Sequence, residues 1–248
     1  IETNGNQLLD VGATMDAGEL HERSLVQLEN WIGKPTHVCG HNLVAHDAPY
    51  LRKKLRPDVF AGKALVDTLF WSALLFPEKP YHKLVKGYKL NNEDSENNPL
   101  SDAKLCRQLL DELIGVFNGS NVAMRTVYHG LLCDKEGYAG FFVLAGFEPR
   151  EHAASVERIR DHFKGRICTA PDIGSIAKEH PVELAHALAL IGTTDDASVL
   201  PGWVVHSLPR TEDILHELRS APCDDPRCGH CTSRLDPHRG LKRVFNYD

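Results

Sequence analysis

The stretch "THVCGHNLVAHDAPYLRKKL" (residues 36–55) changes character halfway along. Its front, residues 36–42, is short and apolar enough to read as a strand. Its back half places Asp47, Leu51 and Leu55 in one line at helical spacing and has Pro49 near the start, so it reads as a helix beginning around Asp47 and Pro49. The same alternation recurs on either side. "LLDVGATM" (8–15) reads as a strand, "SLVQLENWIG" (24–33) as a short helix, and "KALVDTLFWSALLF" (63–76) as a strand running into a helix. Strands and helices alternating in this way predict an α/β architecture, a sheet flanked by helices.

A polar stretch, "NNEDSENNPLSD", precedes the clearest amphipathic helix, "DAKLCRQLLDELIGVF" (102–117), for which Asn98 is the expected N-cap and Pro99 the first helical residue. Beyond residue 118 strand signals fade and short helices are expected at 154–163, 181–192 and 211–220, so a domain boundary is predicted near 118. From 221 the chain is rich in cysteine, proline and arginine, too short and polar for a core of its own. The expected division is therefore 1–117, 118–222 and 223–248.

The chain has 248 residues, 42% of them hydrophobic and 25% charged, and a net charge of −6. That composition is globular, and no apolar run reaches the roughly 20 residues that span a bilayer. The acidic balance supplies no basic footprint for nucleic acid. Four of the seven cysteines, Cys39, Cys106, Cys133 and Cys168, are solitary in sequence and sit among apolar residues; Cys223, Cys228 and Cys231 are clustered. This distribution fits a reducing cytoplasm and a metal site better than a disulfide framework. The absence of an initiator methionine and the ending "RVFNYD" lead us to expect that both ends are cuts through a longer chain.

Two carboxylates stand where apolar residues belong. In the 102–117 helix, Asp102 shares a stripe with Leu105, Leu109, Leu113 and Val116 and is expected to lean inward, unless it only complements the helix dipole. Asp47 starts the apolar line of its own helix, where an N-cap is the plainer alternative. With Glu2 at the end of a first strand these make three acids whose burial a divalent cation would relieve.

These residues resemble the DEDD-type 3′→5′ exonucleases of the ribonuclease H-like fold. "IETNG" (1–5) is similar to the family's Asp-x-Glu-Thr-x-Gly motif without its leading Asp, "GHNLVAHDAPYL" to the second motif with Asn42 and Asp47, and "NPLSDAKL" to the third, ending in Asp102. "VDT" (66–68) is similar to the family's strand end. The resemblance covers about residues 1–117. It implies a mixed sheet flanked by helices, Mg²⁺ or Mn²⁺ held by Glu2, Asp47 and Asp102, DNA as substrate, and contacts to nucleic acid from Asn42 and His46. The first acid of the motif is not among these residues, His46 stands where the family has an aromatic, and the positions of the general base hold Asn97 and Asn98. Neither amide can take a proton from water. His82 is the nearest replacement. A nuclease fold that has lost its chemistry and serves as a nucleic-acid-binding module is the alternative expectation.

"CDDPRCGHCTSRLDPH" (223–238) offers Cys223, Cys228, Cys231 and one histidine as a tetrahedral Zn²⁺ site. His238 is the preferred fourth ligand, because His230 lies within the Cys228–Cys231 turn. "CGHC" is also similar to thiol–disulfide exchange sites, but no apolar strand precedes it and Pro237 would break the helix that should follow. Finally, "LDPHRGLKRVFNYD" (235–248) resembles the segment leading into RecQ-type helicase motors, implying a helicase motor beyond residue 248.

Overall fold

The computed structural model describes the chain except residues 6, 85–97, 150–155, 194–198, 222, 224, 226 and 234–248. Asn97, His238 and the helicase-like 235–248 stretch lie outside the described residues. The fold is mixed α/β and divides into two units. The first comprises Ile1–Phe76, Tyr81–Ser120 and Cys133–Glu148; the second comprises Pro77–Pro80, Asn121–Leu132 and Pro149–Asp248. The chain thus leaves the first unit close to residue 118 but re-enters it at 133. It does so because "YAGFFVLAGF" (138–147) is needed to cover a buried indole.

In the first unit, β1 (Glu2–Asn4), β2 (Gln7–Met15) and β3 (Gly18–Glu22) form an antiparallel meander in that order. The β2–β3 hairpin keeps Met15 opposite Gly18, and Val11 and Leu20 reach the core. Helix α1 (Leu25–Ile32) starts at Ser24, which accepts from Gln27 N, and buries Leu28 and Ile32. Strands β4 (His37–Gly40) and β5 (Ala64–Asp67) pair in parallel, with Gly40 opposite Asp67 at their carboxyl ends. Between them lie a single π-helical turn, Leu43–Asp47, and α2 (Ala48–Lys54). Helix α3 (Thr68–Leu75) leaves β5 directly.

Helix α4 (Pro99–Gly119) begins as its sequence predicts, with the Asn98 side chain accepting from Leu100 N and Ser101 N and Pro99 at the first turn. Its inward face is rotated from the expected one. Cys106, Leu113 and Phe117 are buried, whereas Val116 is 37% exposed and Leu105 only half-buried. Phe117 turns inward because it joins an aromatic cluster: Trp71 of α3 stacks on Phe141 at 3.9 Å, and Phe117 meets both edge-on, at 5.7 and 5.4 Å. Phe141 belongs to α6 (Ala139–Leu144), which packs on β5 at Gly140; a Cβ there would lie 2.9 Å from Val66 Cγ2.

The second unit is helical: α5 (Val122–Leu132), α7 (Val156–His162), α8 (Ile173–Glu179), α9 (Pro181–Gly192), α10 (Gly202–Ser207), α11 (Arg210–Leu215), a π turn at His216–Ser220, and α12 (Gly229–Ser233). Its axis is α9, buried continuously from Leu184 to Ile191 and packed by α5, α8 and α11. A helix apolar all round is a core element. Among the described residues no helix is long and apolar enough to cross a membrane.

Helix α4 approaches β2 tightly at Gly12. A Cβ on Gly12 would fall 2.0 Å from Leu100 N and 2.1 Å from Pro99 C, both backbone atoms. Gly12→Ala therefore forces β2 and α4 apart and is expected to cost about 3 kcal/mol. Urea unfolding followed by tryptophan fluorescence reads this directly, since Trp71 reports on the first unit.

Candidate functional site

The site is assembled at the carboxyl ends of β4 and β5 by Asp67. Its side chain is fully buried, and its two oxygens accept backbone N–H groups from Asn42 (2.9 Å), Val44 (2.9 Å) and Leu69 (3.0 Å). Its own N–H donates to Gly137 O at 2.9 Å. One residue thereby ends β5, caps α3, pins the turn after β4 and takes in the returning 133–148 segment. Asn42 adopts the left-handed region, φ 63°, which asparagine tolerates better than most side chains.

Asp47 follows from that pinned turn, and it does not serve as a cap. Its backbone is helical, and its side chain makes no capping bond, because the π turn runs straight into α2 and Ala48 N already donates to Leu43 O. The carboxylate points elsewhere: Oδ1 lies 2.9 Å from His46 Nδ1 and 3.7 Å from the backbone nitrogen of Ile1. That contact puts Asp47 beside the strand carrying Glu2. Glu2 is half-buried, faces Asp10 across the β1–β2 ladder, and sits at a register shift between residues 2 and 3. Asp10 is occupied locally by Val11 N at 2.8 Å and His21 Nε2 at 2.7 Å. His46 is mostly in solvent, at 55% side-chain exposure.

Asp102 is half-buried in the first turn of α4, one turn before Cys106. Its neighbour is His41, a residue that carried no role in the sequence reading. Burial holds the His41 imidazole down to about 4, against the opposing pull of a hydrogen bond to the His82 carbonyl and of the Asp102 carboxylate. The ring is neutral at pH 7, so one nitrogen donates and the other accepts. The Thr68 hydroxyl lies 3.0 Å from Nδ1 and itself donates to Gly40 O at 3.3 Å. His41 therefore clasps the 81–84 segment to the strand ends. His82 is buried, with Nδ1 2.8 Å from Ser72 Oγ. Asn98 is occupied as the α4 cap. Glu2, Asp47 and Asp102 do not gather their donor atoms within 4.8 Å of one another.

The set that does so, alone among the described residues, is Cys168, Cys223, Cys228 and Cys231 in the second unit. Cys168 is solitary only in sequence; its Sγ is 3.6 Å from that of Cys231. A tetrahedral ion with 2.3 Å bonds to sulfur has S···S edges of about 3.8 Å, so the four thiols fit one divalent cation such as zinc. Backbone N–H groups already aim at the sulfurs: Ala170 N at Cys168 (3.4 Å), Cys223 N at Cys231 (3.5 Å) and Cys231 N at Cys228 (3.5 Å). The thiols sit in unlike surroundings. Burial pushes Cys168 up to about 12, whereas Cys228, despite burial, is held down to about 6 by the Cys231 N–H and Thr169. His230 turns away from the sulfurs, with Nε2 2.9 Å from Arg219 O and Nδ1 3.3 Å from Gly165 O. The other cysteines taken as isolated also differ from expectation. Cys133 is exposed, and Cys39 and Cys106 meet at 3.9 Å between sulfurs.

No family model, curated protein or solved structure matches the chain.

Burial pushes the Asp67 carboxyl up to about 6, against the N–H groups of Val44, Asn42 and Leu69 that hold it down. Its unfolded value is about 4. The folded chain therefore keeps a proton that the unfolded chain gives up between about pH 4 and 6, and the stability linked to this group, about 3 kcal/mol, is complete below pH 4 and lost as pH rises through 6. Carboxyl ¹³C NMR of Asp67 is expected to show a midpoint near 6, and Asp67→Asn to remove that slope from a pH series of urea midpoints. A midpoint at or below 4 would contradict this account.

Proposed function

We propose that residues 1–117 form a metal-dependent 3′→5′ exonuclease domain of the ribonuclease H-like type, acting on DNA phosphodiesters. The observation that carries this reading is Asp47: a carboxylate at a helix start that caps nothing, fixed by an Asp67-pinned turn and turned toward the β1 strand. Glu2, Asp47 and Asp102 are the acids for Mg²⁺ or Mn²⁺, which when bound activate water and stabilise the leaving oxygen. Two ions about 4 Å apart spread their ligands over more than one coordination sphere, so such acids need not converge within a single 4.8 Å cluster. Asn42 and His46 sit on the same turn, and His46 is open to an incoming strand. Asn98 holds α4 in place as its cap and takes no part in proton transfer, so the attacking water loses its proton to solvent or to a base other than Asn98.

A second reading rests on that same loss of a side-chain base: the fold binds nucleic acid without cleaving it. Calorimetric Mn²⁺ titration separates the two. Under the first reading Mn²⁺ binds, and Asp47→Ala and Asp102→Ala each weaken binding by at least about tenfold. A chain bearing Asp directly before Ile1, which completes the Asp-x-Glu-Thr pattern, is then expected to release nucleotides from a 3′-labelled single strand in Mn²⁺. Equal release by its Asp47→Ala form would remove the exonuclease claim. DNA binding with no Mn²⁺ uptake would leave the second reading in its place.

For the second unit we propose a structural zinc centre formed by Cys168, Cys223, Cys228 and Cys231, with Cys168 in the place expected of His238. Metal analysis of purified protein should give about one zinc per chain. Cys168→Ser should reduce it below about half and lower the melting temperature, whereas His238→Ala should leave it unchanged. The opposite pattern would restore His238 as the ligand.

A further inference from the structure

The remaining pair of thiols outside the metal cluster is placed with its own logic. Cys39 lies on β4 and Cys106 on α4, two elements packed against each other, with their sulfurs in van der Waals contact at 3.9 Å. The Cys106 sulfur also meets the Thr68 hydroxyl at 3.5 Å. The buried Cys106 sulfur is thus in contact with both a thiol and a hydroxyl, and Cys39 beside it is half-buried.

We infer that Cys39 and Cys106 form a redox latch that hydrogen peroxide closes into a disulfide, tying β4 to α4. The contact with Cys39 holds the Cys106 thiol below its ordinary value, against the opposing push of burial, so it is the nucleophile of the pair. Its thiolate attacks one peroxide oxygen; the O–O bond breaks, the departing oxygen leaves as water, and Cys106 becomes a sulfenic acid. The Cys39 sulfur then attacks the Cys106 sulfur. The S–O bond breaks, an S–S bond forms and a second water departs. Two thiols give up two electrons and two protons in all, and the peroxide accepts them. A disulfide needs the sulfurs at about 2.05 Å, so the two elements must close by somewhat under 2 Å between them.

The latch sits under the acids. Cys106 is one helical turn from Asp102 on the same face of α4, and Cys39 is three residues before Asn42 on the pinned turn. Closing it fixes α4 against the strand end that carries the 42–47 turn. The latch itself does not depend on the exonuclease reading, and it is tested without any activity measurement.

Zinc-loaded full chain is treated with hydrogen peroxide, quenched, digested without reductant and mapped by mass spectrometry, with a dithiothreitol-treated aliquot alongside. The expected result is a Cys39–Cys106 peptide pair in most molecules, restored to two thiols by dithiothreitol and absent from Cys39→Ser. Hydrogen exchange at residues 99–106 should slow by about tenfold in the bridged form and recover on reduction. Separate sulfinic acids at 39 and 106, or two unmodified thiols, in a chain whose circular dichroism is unchanged would overturn the inference. So would unchanged exchange at 99–106 in a bridged chain.

Discussion

The first unit depends on one buried carboxylate. Asp67 is the last residue of β5, and its three accepted N–H bonds come from a turn, from the other side of that turn, and from the helix that follows. Burying a carboxylate is expensive unless donors replace the lost water. The amides of Asn42, Val44 and Leu69 are donors that β4, the π turn and α3 would otherwise leave unsatisfied at their ends. The two deficits offset each other, in part, only when strand, turn and helix hold their relative places. A neutral asparagine could accept from some of these amides but would point its own N–H₂ at others. The constraint is thus one of acceptor placement and shape, and it holds the Asn42–Asp47 turn through its backbone amides while Leu43 anchors it in the core.

Much of the local structure was legible because it follows from short-range rules. The Asn98–Pro99 start of α4, the short helix over 24–33 and the strand-to-helix passage at Asp67–Thr68 are all written in residues that act within a turn of themselves. The failures share a different cause. The inward face of α4 was drawn through Leu105 and Val116, yet the helix buries Cys106 and Phe117, because its partner is the aromatic cluster of Trp71 and Phe141 rather than a generic apolar surface. Phe141 reaches that cluster on a segment that returns from outside the first unit, and no local pattern announces such a return. Asp47 was weighed as a cap or a ligand; the π turn ahead of α2 removes the cap option by satisfying the helix start beforehand. His41 was missed altogether, since a histidine between glycine and asparagine carries no periodic signal, and its role arises only when β4 meets Thr68 and the His82 carbonyl.

The cysteines make the same point in chemical terms. Spacing alone finds Cys228 and Cys231, with two residues between them, and then Cys223, but the fourth sulfur belongs to Cys168, far back in the chain. The backbone brings it there: Cys168 N donates to Leu218 O at 2.7 Å, so the loop before α8 is tied to the π turn that leads into the cluster. His230, one residue from Cys231, was set aside by sequence in favour of His238 because it lies within the Cys228–Cys231 turn, and it does turn away from the sulfurs. It is drawn off by carbonyls of Arg219 and Gly165, which need a donor as much as a metal needs a lone pair. Ligand sets are therefore decided by the whole hydrogen-bond account of a site and only partly by motif.

The contrast between the two sulfur sites follows from how many thiols meet. Four convergent thiols cannot all ionise unaided, burial already pushes the Cys168 thiol up, and a divalent cation relieves both effects for the whole set at once. Two thiols cannot close a tetrahedron, and the hydroxyl beside them belongs to Thr68, a weak ligand for a soft metal. What two sulfurs in contact can do is share one proton and, with an oxidant, one bond. The number of cysteines that packing brings together thus selects between a centre that stabilises by coordination and a pair that responds to redox state. Neither outcome is visible in the count of cysteines along the chain, because Cys39, Cys106 and Cys168 each look isolated until β4, α4 and the loop before α8 are in place.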